Sequence, residues 1–159
     1  MRVEVKGLKF SSAHFVIGHP KCERLHGHDY YVDVVIEGQL SEKNETGMLV
    51  DFGMVKQVVK PILDMLDHKI IIPKNNDKLE LTNNINSNDD SIFIVLQKVA
   101  YAKKLLLTRD EVCFLPIRNS TAELIGEWMY GVMKEEFLKL GNYTLHLRLY
   151  EGLGSMVEI

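Results

Sequence analysis

The feature that most constrains this chain is a period of two at its beginning. From Arg2 to Phe10, Val3, Val5, Leu8 and Phe10 are apolar, with Glu4, Lys6 and Lys9 between them. That is the pattern of a strand with one buried face, and Gly7 disturbs its register as a bulge would. A second β-rich stretch, Asp29 to Glu37, holds Tyr30, Tyr31, Val32, Val34, Val35 and Ile36, which commits the chain early to a sheet. Between the two lie Ala13-His14-Phe15 and Leu25-His26-Gly27-His28. On a strand, His26 and His28 project to one face, and Gly27 leaves the other side unobstructed. An antiparallel neighbour carrying His14 would bring a third imidazole beside them. Three imidazoles with one open position are the protein side of a catalytic zinc site. Cys22, four residues before His26, keeps another reading open: with its thiolate the same histidines would form a closed, structural zinc site.

Downstream, Gly38 to Gly47 is polar and turn-like, and Met48 to Val50 is a short apolar run. Asp51 is placed to cap a helix in which Val55, Val58, Val59, Ile62 and Leu66 form one apolar stripe. Pro61 inside that stripe predicts a kink or an early break. Asp67-His68 follows, readable as a helix end with His68 near the dipole or as a carboxylate orienting a proton-moving imidazole. A second helix is expected from Ser120, whose spacing to Glu123 is that of a capping box. It continues through Leu124, Ile125, Trp128, Met129, Val132 and Phe137 to a stop at Gly141-Asn142. Thr144 to Glu151 reads as a strand with Leu145, Leu147 and Leu149 on one face. Residues 73–117 are the least regular. Lys74 to Asp90 is rich in Asn and Asp and reads as loops. Ile92 to Leu96 and Leu105 to Leu107 read as strands, with part of 91–107 as helix the alternative. The order predicts one α+β domain over residues 1–159, helices on one sheet face, with an insertion at about 73–115.

Composition narrows the function. With 46% hydrophobic and 26% charged residues in 159, the chain has the make-up of a soluble globular protein. A net charge of -3 gives no general attraction to nucleic acid or anionic membrane, and neither is expected as a partner. The N-terminus lacks the apolar core of a secretory signal, and no apolar run approaches the ~20 residues that span a bilayer. Two cysteines, Cys22 and Cys113, are too few for a disulfide framework. Both are expected as reduced thiols in a cytoplasmic protein, with Cys113 a buried small hydrophobe.

Six segments, in order, resemble the 6-pyruvoyltetrahydropterin synthase and 6-carboxytetrahydropterin synthase family. They are Phe10-Ser11-Ser12-Ala13-His14-Phe15, Cys22-Glu23-Arg24-Leu25-His26-Gly27-His28-Asp29-Tyr30, Gly47-Met48-Leu49-Val50-Asp51-Phe52, Leu66-Asp67-His68-Lys69, Ser120-Thr121-Ala122-Glu123 and Leu149-Tyr150-Glu151-Gly152. The resemblance covers roughly residues 1–72 and 116–152. It implies a T-fold, in which antiparallel sheets from several subunits close into a β-barrel with helices outside. A homohexamer built as a dimer of trimers, with active sites between subunits, is implied as well.

The resemblance also implies roles. His14, His26 and His28 match zinc ligands, and Cys22 matches the catalytic thiol. Asp67 and His68 match its acid–base partners, reaching in from a neighbouring subunit. Glu151 matches the carboxylate that anchors the pterin, and Thr121 and Glu123 a second group lining that pocket. The implied substrate is 7,8-dihydroneopterin triphosphate. Three residues between Cys22 and the His26-Gly27-His28 run resemble the 6-carboxytetrahydropterin branch, which feeds 7-deazaguanine (queuosine or archaeosine) biosynthesis. The 6-pyruvoyl branch, which tends to a longer gap, stays as one alternative. A third branch has Glu for the cysteine and cleaves dihydroneopterin like an aldolase, and Glu23 beside Cys22 keeps that activity as an alternative. A non-enzymatic pterin- or purine-binding module with structural zinc is the remaining one.

Overall fold

The computed structural model describes residues 1–40, 45–83, 91–96 and 103–159. The two predicted N-terminal strands form, and both are longer than the alternation alone indicated. Strand β1 runs Arg2–His14 and β2 His26–Glu37, antiparallel from Arg2↔Glu37 to His14↔His26. The register slips between Val5 and Leu8, where Gly7 takes φ +71, the positive angle that glycine adopts without steric cost. Asp33 braces the bulge from across the strand pair, its Oδ1 accepting the Gly7 N–H at 3.0 Å.

Helix α1 spans Phe52–Leu66, with Asp51 as N-cap accepting from Gly53 N and Met54 N. It does not break at Pro61. A helical proline costs about 3 kcal/mol, but Val55, Val59, Ile62, Leu63 and Leu66 are all buried. At about 1.5–3 kcal/mol for each large apolar side chain, that stripe outweighs the proline, which lies on the exposed side. Strand β3, Lys69–Pro73, follows at once. Strands β4 (Leu79–Asn83), β5 (Ser91–Leu96) and β6 (Lys103–Thr108) form a separate antiparallel sheet. A 3-10 turn at Arg109–Glu111 leads into β7, Val112–Leu115. Helix α2 spans Ala122–Leu140, β8 Thr144–Glu151 and β9 Met156–Glu158.

The main sheet has the order β7-β3-β1-β2-β8-β9 and curls into a half-barrel carrying the two helices. It is mixed rather than purely antiparallel, because β3 pairs parallel with both β1 and β7. The expected antiparallel sheet is corrected there. Ile71 and Ile72 are fully buried, and a strand covered on both faces shows a continuous apolar run instead of alternation. Two further expectations change. Leu79–Asn83 is a strand where loops were expected, whereas 84–90 of that stretch lies outside the described residues. The helical alternative for 91–107 gives way to β5 and β6, with 97–102 outside the described residues, as are 41–44 of the expected turn.

The core explains where the site lies. Val32, Val34 and Ile36 of β2 pair with Leu149, Leu147 and Leu145 of β8, and all six are buried in one cluster with α1 and α2. The next pair along this face is Tyr30↔Glu151. Beyond it come Ser12↔His28 and His14↔His26. The column of side chains that packs beneath the helices therefore turns polar at one end of the sheet. A second cluster joins Phe15, Ile17, Ile72 and Val112 to Leu79, Leu105 and Leu107 of the small sheet.

Candidate metal centre and catalytic cavity

His14, His26 and His28 converge as the strand period requires. Their ring centroids are 4.5 Å (His14–His26), 5.2 Å (His14–His28) and 5.1 Å (His26–His28) apart, and one nitrogen from each lies within 4.8 Å of the others. Gly27 lets the strands meet this closely, since a Cβ there would sit 3.1 Å from the Ser12 carbonyl oxygen.

Two rings have their tautomers set by the main chain. His14 Nδ1 donates to the Ser120 carbonyl at 2.6 Å, and His26 Nδ1 to the Arg24 carbonyl at 2.6 Å. Neither carbonyl can donate in return, so in each neutral ring Nε2 carries a lone pair. His14 is only 1% exposed, and burial pushes its pKa below the usual imidazole value, overriding the Ser120 hydrogen bond and the Glu151 charge that pull it up. The ring is thus held neutral. Its Nε2 is buried without a hydrogen-bond partner and faces Glu151 Oε1 at 3.4 Å. Two acceptors opposed at that distance repel, and an unsatisfied buried acceptor costs about 1–3 kcal/mol. A cation held by the three histidines would take up the His14 lone pair and offset the carboxylate charge. Neutral imidazoles whose far nitrogens donate to carbonyls are the usual arrangement around zinc, so this donor set fits a divalent metal with nitrogen preference.

Glu151 ends β8 beside the triad. Tyr30 donates to its Oε1 at 3.2 Å, and His28 Nε2 lies 3.9 Å away. Burial, with the Glu151 charge added, drives the Tyr30 pKa far up, so the phenol stays a donor. A cavity of about 370 Å³ is lined by His14, His26, His28, Glu151 and Cys22, together with Val16, Lys21, Arg24 and Leu25. Cys22 is half-buried and free, and it does not join the three-histidine ligand group. Lys21 and Arg24 add positive charge to the cavity lining from the loop before His26. Sequence reasoning did not single out Lys21 or give Arg24 a role, and the available signal was their position beside Cys22.

The other expected residues lie elsewhere on the chain. Asp67 caps the end of α1 with its N–H on the Leu63 carbonyl, 2.8 Å. Its Oδ1 accepts from Ser11 N at 2.7 Å and its Oδ2 from His68 Nδ1 at 2.8 Å. The Ser11 N–H first, and then His68, hold the Asp67 carboxyl below its ordinary range. His68 sits at φ +58 with its side chain 84% exposed. It lines a different, open cavity of about 520 Å³ with Ser11, Ala13, Gly27, Asp29 and Lys69. His28 borders both cavities. Thr121, not Ser120, is the N-cap of α2, its Oγ1 accepting from Leu124 N at 3.4 Å, and Glu123 is exposed in the first turn. Neither Thr121 nor Glu123 lines the Glu151 cavity. Ser120 misses the cap because it is fully buried, donating through Oγ to the Phe15 carbonyl at 2.6 Å. That bond fixes the carbonyl that holds His14.

Fold and site together define a T-fold. The model of the family described as 6-pyruvoyl tetrahydropterin synthase matches residues 3–159, and the chain belongs to that family. A Rickettsia bellii protein named 6-carboxy-5,6,7,8-tetrahydropterin synthase is 37% identical, covering 96% of this chain and 95% of its own. A Methanocaldococcus jannaschii protein that carries the same name provisionally is 34% identical, covering 94% and 87%. Among solved structures, 6-pyruvoyl tetrahydropterin synthase of Plasmodium falciparum superposes with a TM-score of 0.81 at 25% identity, covering 100% of this chain and 96% of that one. No helix among the described residues is long and apolar enough to cross a membrane.

Proposed function

We propose that the chain is a zinc-dependent 6-carboxy-5,6,7,8-tetrahydropterin synthase acting on 7,8-dihydroneopterin triphosphate, in the cytoplasmic supply of 7-deazaguanine precursors. The observation that carries this reading is the buried lone pair of His14 Nε2 aimed, with His26 and His28, into a cavity that also holds Cys22 and Glu151. The names of the relatives favour the 6-carboxy product.

Each residue then has a task. His14, His26 and His28 would hold zinc, which when bound supplies a Lewis acid and a template for the substrate's side-chain oxygens. Glu151 accepts paired N–H groups from the pterin edge, a geometry that suits a carboxylate, and Tyr30 steadies its Oε1. Cys22, lining the same cavity, takes a proton from the substrate side chain as thiolate. Lys21 and Arg24 offer positive charge to an anionic tail. His68 handles the second proton: Asp67 Oδ2 engages its Nδ1, which leaves Nε2 to exchange a proton with substrate.

Asp67 and His68 line the other cavity of their own chain, so in this reading they serve the site of a neighbouring subunit. A homohexamer of two trimers provides that neighbour. Joining half-barrels through their edges would also cover the open sides of β7 and β9. The retro-aldol alternative draws no support from Glu23, which is absent from the cavity lining.

Incubating zinc-loaded protein with 7,8-dihydroneopterin triphosphate tests the reading. The expected products are 6-carboxytetrahydropterin, acetaldehyde and free triphosphate. Finding 6-hydroxymethyldihydropterin would transfer the assignment to cleavage, and finding no new pterin would overturn it.

A further inference from the structure

The loop between β1 and β2 is closed by its own hydrogen bonds. Val16 N donates to the Cys22 carbonyl at 2.7 Å, His19 N to the Val16 carbonyl at 3.1 Å, and Glu23 N to the His19 carbonyl at 3.1 Å. Two side chains complete the closure. Glu23 Oε1 accepts from Gly18 N at 2.9 Å, and His19 Nδ1 accepts from Cys22 N at 3.0 Å. Gly18 presents its N–H from φ +87, a conformation that favours glycine. The backbone of Cys22 is therefore held on both sides, through its N–H by His19 and through its carbonyl by Val16. Glu23 ties the far side of the turn to the residue after it.

This arrangement separates two neighbours of similar chemical promise. Cys22 lines the cavity with the three histidines, while Glu23 does not. Its carboxylate is engaged by the main chain five residues back. We infer that Glu23 is a positioning residue, not an acid–base group: it latches the loop so that Cys22 faces the triad, with His19 as the second latch. The inference rests on the proposed role of Cys22 and adds to it the device that orients the thiol. The latch uses one carboxylate oxygen as a hydrogen-bond acceptor, a task that a side-chain amide also performs. A proton-transferring carboxylate, by contrast, has no amide substitute.

The test compares Glu23→Gln, Glu23→Ala and His19→Ala. Two readouts are followed: the rate at which iodoacetamide alkylates Cys22 in metal-free protein, mapped by mass spectrometry, and turnover of 7,8-dihydroneopterin triphosphate. Buried Cys113, whose thiol pKa burial pushes up, is the internal control for unfolding. The inference expects Glu23→Gln to match the wild type within about twofold in both readouts. It expects each alanine variant to change the Cys22 alkylation rate and lower turnover by about fivefold or more, the scale of one lost hydrogen bond. Cys113 should stay protected, and the shape of the turnover pH profile should not change. A Glu23→Gln variant as impaired as Glu23→Ala would overturn the inference, as would a Glu23→Ala variant that behaves as wild type. If one alanine variant exposes Cys113, the Gln variant and the other alanine variant carry the decision. Alkylation needs no substrate, so the predicted order of rates in a protein without pterin turnover would sustain the latch and sink the proposed activity alone.

Discussion

Two polar clusters lie on opposite faces of the same strand pair, and they differ in how much of their surroundings one chain provides. On the helix-covered face, His14 is 1% exposed and carbonyls from Ser120 and Arg24 fix two of the three rings. On the other face, the His68 side chain is 84% exposed and its Nδ1 pairs with Asp67 Oδ2. Ligands must be held rigidly before a metal arrives, so they profit from walls built by their own chain. A proton-exchanging imidazole has to reach substrate, and at the surface it is free to serve a cavity in another copy. The contrast teaches that one chain walls in the histidine cluster by itself but leaves His68 in the open, and in the proposed reading that open half is completed by a neighbouring subunit.

The largest effect should come from the monomeric half. Replacing His26 by Ala removes one of three ligands, so bound zinc measured by plasma emission should fall from about one per chain to near zero, with turnover falling to background. Retained stoichiometric zinc would break the distinction. The assembly half is tested by mixing two dead variants, Cys22→Ala and His68→Ala. Random reassortment leaves about a quarter of shared sites with both native groups, so about a quarter of wild-type activity should return on mixing. No recovery, in mixtures shown to exchange subunits, would place both groups on one chain.

Glu151→Gln should keep zinc and fold but lose about 10- to 100-fold in kcat/KM, the scale of a charge-assisted hydrogen-bond pair. The smallest effect concerns Asp67. Its folded carboxyl titrates below the ordinary value of 3.8, so the stability it contributes is complete above that value and is lost as pH falls through the lower, folded one. Asp67→Asn should lower the melting temperature by a few degrees at neutral pH. That gap should close as the pH falls through the lowered, folded value. A gap that is constant with pH would mean that the Asp67 charge does not contribute.

How legible this was depended on which groups did the work. Strand β8 formed over the residues expected, Thr144–Glu151, because one face is apolar and the other polar. The histidine convergence was legible for the same reason, since a strict period of two fixes which residues share a face. Strand β3 carries no alternation, and its parallel pairings join segments far apart in sequence, so its place in the sheet was not visible. The supports of the triad were hidden more deeply. The carbonyls of Ser120 and Arg24 belong to the backbone and have no signature, and the spacing of Ser120 pointed to a cap that Thr121 provides. Glu23 was ambiguous because a carboxylate beside a cysteine looks the same in sequence whether it moves protons or accepts a hydrogen bond from Gly18.

Zinc K-edge X-ray absorption on the wild-type protein tests the central claim most directly. The account predicts nitrogen and oxygen scatterers at about 2.0–2.1 Å, three of them imidazole, and no sulfur. A sulfur scatterer at about 2.3 Å would make Cys22 a ligand and the centre structural. A protein that holds no zinc through purification and reconstitution would contradict the account outright.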